Sequence, residues 1–320
     1  MSIVSSPPSQ PDVSICIANY NYGKFLKDLI PVLLRQTLSD FEIVVVDNCS
    51  TDESEAIVKS FGDPRIRFFK NEANVGMVGN WERTLSHARG RVIWMLNSDD
   101  TVEDDGFLQK VVDGMREQGA EAACVASTFE FVAEKRRRDN VLFKPRARSL
   151  TYHAALYTQI LYRTGPVAGQ FFFTNRPFHY DLKMKNIADY DLFLRYMVQF
   201  RPRLALLHDC KLVCRFHDQN AGVSFFQNKW RDYMGELLDI IPNNMREWAA
   251  DKAEGARIVY DFRCALFPVH AAFIIFQKRS LSDLRFLLTK YSWGDIPGII
   301  QWSCIIPVAF LFKKVLGFYL

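Results

Sequence analysis

Two adjacent carboxylates, Asp99 and Asp100, close the stretch Arg91-Val92-Ile93-Trp94-Met95-Leu96-Asn97-Ser98-Asp99-Asp100. The apolar run before them carries β-branched and aromatic residues and is bounded by Gly90, which predicts a buried strand. Carboxylates at the end of such a strand need a compensating positive charge, because an unpaired buried anion is costly. No Lys or Arg lies within the next nine residues, so a hard divalent cation with oxygen ligands is a fitting partner. Open α/β sheets bind their ligands beyond the carboxyl ends of strands. The plain alternative is a solvated Asp pair in a surface turn before a helix starting at Glu103-Asp104-Asp105.

A further carboxylate stands at Ala188-Asp189-Tyr190-Asp191-Leu192-Phe193-Leu194-Arg195-Tyr196-Met197. Leu192, Phe193, Tyr196 and Met197 give this segment the apolar face of a helix. Asp189 falls in the first turn, where a carboxylate meets the positive end of the helix dipole; read alone it is an N-terminal cap. Asp191 and Arg195 are spaced to pair at i,i+4 and read as structural. His217 follows a strand expected over Lys211 to Phe216, and by itself it reads as a surface residue.

The elements that must position these groups alternate in type. Val13 to Ala18 predicts a first strand, ending at Asn19-Tyr20-Asn21-Tyr22-Gly23. A helix follows over Lys24 to Thr37, with Pro31 expected to kink it or end its first part. Phe41 to Val46 is a continuously apolar strand, as in a parallel sheet buried on both faces. Ser50 and Glu53 have capping-box spacing for a helix to about Phe61. Ile66 to Lys70 is a third strand, and a helix through Ala88 is expected to stop at Gly90. This rhythm predicts a doubly wound, mostly parallel sheet. Beyond Asp105 come a helix with Phe107, Val111, Val112 and Met115, then strands Ala122 to Ser127 and Val167 to Thr174, with an amphipathic helix over Thr151 to Tyr162. The basic run Lys135-Arg136-Arg137-Arg138 reads as a solvated hairpin tip.

Composition excludes several classes. A net charge of +4 over 320 residues does not call for nucleic acid, and 49% hydrophobic with 24% charged residues is ordinary for a globular chain. Seven scattered Cys argue against a disulfide framework. Cys210 and Cys214 lack the companions a zinc site needs and read as strand residues. Residues 1–12 are polar and Pro/Ser-rich, a disordered arm rather than a signal peptide.

Taken in order, these pieces resemble the inverting family 2 glycosyltransferases with the GT-A fold. The matching residues are Val13 to Asn21, Gln36-Thr37, Val44 to Asp52, Asn74-Val75-Gly76 with Asn80, Ala88-Arg89-Gly90 and Leu96 to Asp100. The pattern continues weakly through Asp189-Tyr190-Asp191-Leu192 and Arg215-Phe216-His217. The resemblance implies a nucleotide-sugar site formed by Ala18, Asn19, Tyr20, Asp47, Asn48, Asn80, Ser98 and Asp99. Tyr20 would stack on the donor base, and Asn48, where the family often has Asp, would bond its edge. Asp100 and Asp99 would hold Mg²⁺ or Mn²⁺ on the diphosphate, with His217 as a further metal or phosphate contact. Asn97 stands where the family often carries an acid, and Ala188 where many relatives have Glu. Asp189 matches the family's catalytic base. The implied reaction moves a sugar from a nucleotide-diphosphate donor, UDP or dTDP favoured, to a saccharide or lipid-linked saccharide acceptor in surface-polysaccharide synthesis.

The expected domains are a GT-A catalytic domain over 13–224, split at 105 into donor and acceptor halves, and a helical region over 225–320. Ile296 to Phe312 is uncharged. As helix it would reach about 26 Å, short of a hydrocarbon core of about 30 Å. With Trp293, Trp302 and Tyr319 nearby, the run suggests attachment to the inner face of a cytoplasmic membrane rather than a span. Two other readings compete. A sugar nucleotidyltransferase would need a Gly/Arg/Lys-rich phosphate loop that Asn19 to Gly23 lacks. A non-catalytic relative sits poorly with intact Asp99, Asp100 and Asp189.

Overall fold

The computed structural model describes residues 10–139, 149–151, 154, 169–218, 230–273, 281–301 and 303. They fall into two compact units. One comprises Met1–Asn140, Pro166–Leu182 and Ala205–Phe216; the other comprises Val141–Gly165, Lys183–Leu204 and His217–Leu320.

The first unit starts as the alternation predicts. Strand β1 (Val13–Asn19) leads to helix α1 (Gly23–Leu34), β2 (Phe41–Asp47), α2 (Ser54–Ser60), β3 (Ile66–Lys70), α3 (Gly76–Ser86) and β4 (Val92–Asn97). All seven residues of β2 are buried, as a central strand covered on both faces requires. β1 pairs in parallel with both β2 and β4, and β2 with β3. Next come β5 (Thr101–Val102), α4 (Phe107–Glu117), β6 (Ala122–Phe131), β7 (Arg136–Asp139), β9 (Phe171–Thr174) and β10 (Leu204–Phe216); the two-residue strand β8 (Ser149–Leu150) belongs to the second unit. The strand order is β3-β2-β1-β4-β9-β6-β10-β5, with β7 paired to β6. Direction changes at β4, whose other edge takes β9 antiparallel.

Burial explains why these strands hold. Leu26, Leu29, Ile30 and Leu33 of α1 and Phe107, Leu108, Val111 and Met115 of α4 point into one core with Ile15, Ile17, Ile43 and Val45. Trp94 is fully buried and packs on Phe172 (4.9 Å between ring centroids) and Phe107 (5.2 Å). Its Nε1 donates to Gly169 O at 2.6 Å, which satisfies the only polar atom of the ring. Buried Gln36 accepts from Leu108 N and donates to Asp104 O, each at 3.0 Å, tying the end of α1 to α4. Below the sheet, Glu42 accepts from Ser14 Oγ at 2.6 Å, from Arg67 at 2.7 Å and from Arg89 N at 2.7 Å.

Several local expectations differ from the structure. Pro31 lies inside α1 without ending it, and the helix continues to Leu34 with Arg35 N bonded to Pro31 O at 3.3 Å. No capping box forms at Ser50 and Glu53, since α2 starts at Ser54 and Glu53 makes no side-chain cap. Asp52 takes that role: its Oδ1 accepts from Ser54 N at 3.0 Å and its Oδ2 from Gly23 N at 2.9 Å, so one carboxylate serves the first residues of two helices. Helix α3 ends at Ser86, before Gly90. Gly90 is needed for close approach, because a Cβ there would stand 2.4 Å from Ser14 N. Of the basic run, Lys135 sits in the turn between β6 and β7, whereas Arg136 to Arg138 belong to β7 itself; Arg137 pairs with Glu130, and Arg136 stands over the Phe131 ring. The strand expected over Val167 to Thr174 is Phe171–Thr174; Val167 and Ala168, and most of Thr151 to Tyr162, lie outside the described residues.

In the second unit, α5 (Ala188–Phe200) ends at Arg201, which adopts φ 50°. Helix α6 (Trp230–Gly235), a π turn (Glu236–Ile240) and α7 (Ile241–Trp248) run on without a break, followed by α8 (Lys252–Phe273) and α9 (Leu281–Leu288). Among the described residues no helix is long and apolar enough to cross a membrane. Most of the apolar run after Ile300 lies outside them.

Candidate functional site

Strand register brings the candidate residues of the first unit to one edge of the sheet. Ala18 lies level with Val46 on one side and Asn97 on the other, and Asn19 lies level with Asp47. Asn19, Tyr20, Asp47, Asn48, Ser98, Asp99 and Asp100 therefore leave the sheet together at the carboxyl ends of β1, β2 and β4, where a doubly wound sheet binds its ligand.

Most of this edge is held by internal hydrogen bonds. Asn19 Nδ2 donates to Asp47 Oδ1 at 2.8 Å, and Asp47 Oδ2 accepts from Ser50 N at 2.9 Å. Ser98 Oγ donates to Ala18 O at 3.1 Å. Asn48 is buried and fully committed: its Oδ1 accepts from Val75 N (2.9 Å) and Asn71 Nδ2 (3.0 Å), while its Nδ2 donates to Asn74 Oδ1 (2.9 Å) and Gly76 O (3.3 Å). Asn71 also donates to Asn80 Oδ1 at 2.9 Å, and Asn80 Nδ2 donates to Val46 O at 3.1 Å. Asn48 and Asn80 thus hold the loop between β3 and α3 against the sheet edge. Asn71 belongs with them, although its spacing carried no motif signal. Tyr20 is different: the residue is 47% exposed, open to a flat ligand.

Asp99 and Asp100 are both buried. Asp100 Oδ2 accepts from Asn97 Nδ2 at 3.0 Å and its Oδ1 from Arg215 N at 3.2 Å. Burial pushes the Asp100 carboxyl well above its ordinary value, and the neighbouring charge of Asp99 adds to the effect. The bonds from Asn97 and the Arg215 N–H and the charge of Arg215 act the other way, and the Arg215 guanidinium also lies against Glu130 at 3.3 Å. Tyr22 reports the same field: burial, then the Asp99 charge, push its hydroxyl up to about 12. Gly169, at φ +89°, leaves space beside the pair; a Cβ there would meet Leu212 at 2.9 Å and Asp100 Oδ2 at 3.6 Å.

Two buried hard-oxygen carboxylates suit Mg²⁺ or Mn²⁺, which are commonly bound by one or two carboxylates plus substrate phosphates. Among the described residues no group of three His, Cys, Asp or Glu side chains is arranged to hold a metal. Asn19 Oδ1 is a buried acceptor without a hydrogen-bond partner, a further polar atom left over at the same edge.

Asp189 and His217 belong to the second unit. Asp189 is partly buried in the first turn of α5, and its Oδ1 accepts from Tyr190 N at 2.9 Å. Asp191 is structural as its spacing predicts: its Oδ2 accepts from Arg195 Nε at 2.7 Å and its Oδ1 from Asn244 Nδ2 at 2.9 Å, with Asp191 and Arg195 both fully buried. His217 directly follows β10.

Residues 14–181 match the family described as glycosyl transferase family 2. The chain is 30% identical over 192 residues to the succinoglycan biosynthesis protein ExoO of Rhizobium meliloti, covering 57% of this chain and 54% of that protein. It is 24% identical over 197 residues to the putative colanic acid biosynthesis glycosyl transferase WcaA of Escherichia coli, covering 60% of this chain and 68% of that one. The chain thus spans about half the length of ExoO. Among solved structures, Staphylococcus aureus TarS 1–349 in complex with UDP-GlcNAc matches with a TM-score of 0.69 at 17% identity, over 92% of this chain and 83% of that one. A mannosyltransferase of Pyrobaculum calidifontis, PcManGT in complex with GDP-Man and Mn²⁺, matches with a TM-score of 0.53 at 14% identity, over 97% and 89%. These likenesses establish the fold as GT-A.

Proposed function

Since the chain belongs to glycosyl transferase family 2, we propose that it is a metal-dependent, inverting glycosyltransferase that takes a sugar from a nucleotide diphosphate. The observation that carries the reading is the buried Asp99–Asp100 pair at the end of β4, where burial and the neighbouring Asp99 charge both disfavour the charged form of Asp100. Nucleotide sugars bound to TarS and PcManGT support a donor of this class, with UDP or dTDP favoured. In this reading Tyr20 stacks on the base, while Asp47, Asn19 and Ser98 line the nucleoside, and Asn48 and Asn80 hold the loop that covers it. Mg²⁺ or Mn²⁺, held by Asp99 and Asp100, would neutralise charge on the leaving diphosphate; His217 is assigned a further metal or phosphate contact.

Asp189 is the proposed base. The acceptor hydroxyl oxygen forms a bond to the anomeric carbon as the bond from that carbon to the diphosphate oxygen breaks. The proton passes to Asp189, the electron pair leaves with the nucleoside diphosphate, and the anomeric centre inverts. A free hydroxyl is too weak an acid to ionise at neutral pH, so a positioned carboxylate must take its proton as bonding proceeds. The acceptor is proposed to be a saccharide or lipid-linked saccharide of a surface polysaccharide, in keeping with the names of ExoO and WcaA. Exposed Trp293, Ile296 and Ile300 support contact with the inner face of a cytoplasmic membrane.

The test is thermal stability with Mn²⁺ and each of UDP, dTDP, GDP and CDP, on wild type and Asp100→Asn. A ligand at about 100 times its Kd stabilises by about 2.7 kcal/mol. One nucleotide should stabilise the protein only with metal and only with Asp100 intact. Absence of a shift with all four would remove the donor assignment.

A further inference from the structure

The loop that delivers Asp189 into α5 is held by a carboxylate from far along the chain. Glu236, only 5% exposed, accepts from the backbone N–H groups of Lys185 (3.1 Å), Asn186 (3.0 Å) and Ile187 (3.2 Å), and from Asn186 Nδ2 (2.5 Å). Donors at the start of a helix lack intrahelical partners, and a carboxylate beside them also meets the positive end of the helix dipole. Ile187, at the cap position of α5, has no side-chain acceptor to offer. Glu236 therefore holds the Ile187 N–H and the two N–H groups before it, a different set from the donors one turn in that a Ser or Asp at the cap would take.

The placement of Glu236 is itself unusual. It opens the one π turn that joins α6 to α7, and single π turns re-aim side chains and recur at functional sites. The same helix run anchors α5 a second time, through Asn244 on Asp191. That second anchor lies within the helix, whereas Glu236 grips the three residues before it. Asp189 is two residues beyond the last of them.

We infer that Glu236 is a positioning residue for Asp189, fixing through the Lys185–Ile187 backbone where the Asp189 carboxylate stands at the first turn of α5. The inference rests on the reading of Asp189 as the base. Without this carboxylate the three N–H groups lose their common acceptor, and the first turn is free to shift while Asp189 keeps its chemical nature. Misplacement of a reacting group by about 1 Å can cost on the order of a hundredfold in rate.

Glu236→Gln preserves size but replaces one acceptor oxygen with a donor facing N–H groups. Two measurements on the full chain test it. Amide hydrogen exchange should quicken at residues 185–190 of Glu236→Gln, with the metal-dependent nucleotide shift unchanged; unaltered exchange there would overturn the inference. Release of nucleoside diphosphate from a panel of UDP-, dTDP-, GDP- and CDP-hexoses with Mn²⁺ should show kcat lowered tenfold or more and donor KM within twofold. In an Asp189→Asn background, Glu236→Gln should change kcat by less than twofold, because the group it positions is already gone. Equal losses in both backgrounds would mean that Glu236 acts on the fold alone. Normal turnover by Asp189→Asn would instead remove the base assignment itself.

Discussion

The backbone N–H of Arg215 donates to Asp100 Oδ1 at 3.2 Å, joining the penultimate residue of β10 to a carboxylate 115 positions earlier. Strand β10 also pairs antiparallel with β5, setting Leu212 against Val102 directly beyond the pair. The sheet thus holds Asp100 beside Asp99, and the fold bears the cost of an Asp100 carboxylate whose charged form burial and the Asp99 charge both disfavour. Replacing that carboxylate should relieve it. In chelator at neutral pH, Asp100→Asn is expected to melt about 1–2 °C above wild type, a gain on the order of 1 kcal/mol. The Asn97 amide can turn to present its oxygen to the new side chain. Differential scanning calorimetry of the two metal-free proteins decides it.

Asn48→Asp should weaken this protein. Asn48 Nδ2 faces Asn74 Oδ1 and Gly76 O, so a carboxylate would set oxygen against two acceptors in a buried place. We expect a loss of about 2 kcal/mol and weaker nucleotide binding. Both can be read from melting curves with and without nucleotide.

The Glu42 network predicts an acid limb in stability. Burial alone would raise the Glu42 carboxyl, but bonds from Ser14, Arg67 and the Arg89 N–H, with the Arg67 charge, hold it below its ordinary 4.5. A depressed value means that the stabilisation is fully present above pH 4.5 and is lost as pH falls through the lower folded value. Glu42→Gln should cost about 2–4 kcal/mol at neutral pH. The gap from wild type should narrow steadily below pH 4.5 in chemical denaturation.

Gly90→Ala should be among the most damaging small changes. The new methyl carbon would meet Ser14 N at 2.4 Å and Val13 C at 2.7 Å, both backbone atoms of a central strand that cannot retreat. We expect about 3 kcal/mol or more of destabilisation, at the upper end for overpacking. Gly62→Ala, where nothing lies within 4 Å, serves as the comparison: it pays only for its positive φ. Soluble yield and melting temperature report both.

Much of this was legible in sequence wherever one segment carried its own signal. β1, β2 and β4 announce themselves through apolar runs that stop at polar residues, and those stops are the site edge. Asp191 and Arg195 were readable because their partner lies one helical turn away. Asn71 was not, because its role depends on Asn48 and Asn80, which only the fold brings within reach. Glu236 left no trace, since its partners are backbone N–H groups that any residue carries. The Gly90 stop was misread for a related reason: a glycine shows that space is short but not which neighbour crowds it. The capping-box pattern at Ser50 failed because Ser50 is occupied elsewhere, accepting from Asn21 N at 2.8 Å.

The reversal of direction at β4 bears on how the chain reaches its native state. The four parallel strands are complete by Asn97, whereas β9, which covers the far edge of β4 by pairing Trp94 with Phe172, comes much later. A chain made from its amino end therefore passes through an interval in which the β4 edge, with Trp94 on it, has no neighbour to close it. Exposed apolar edges recruit other chains, so truncations that stop before Phe171 should aggregate during expression, and slower translation beyond Asn97 should favour aggregation over yield.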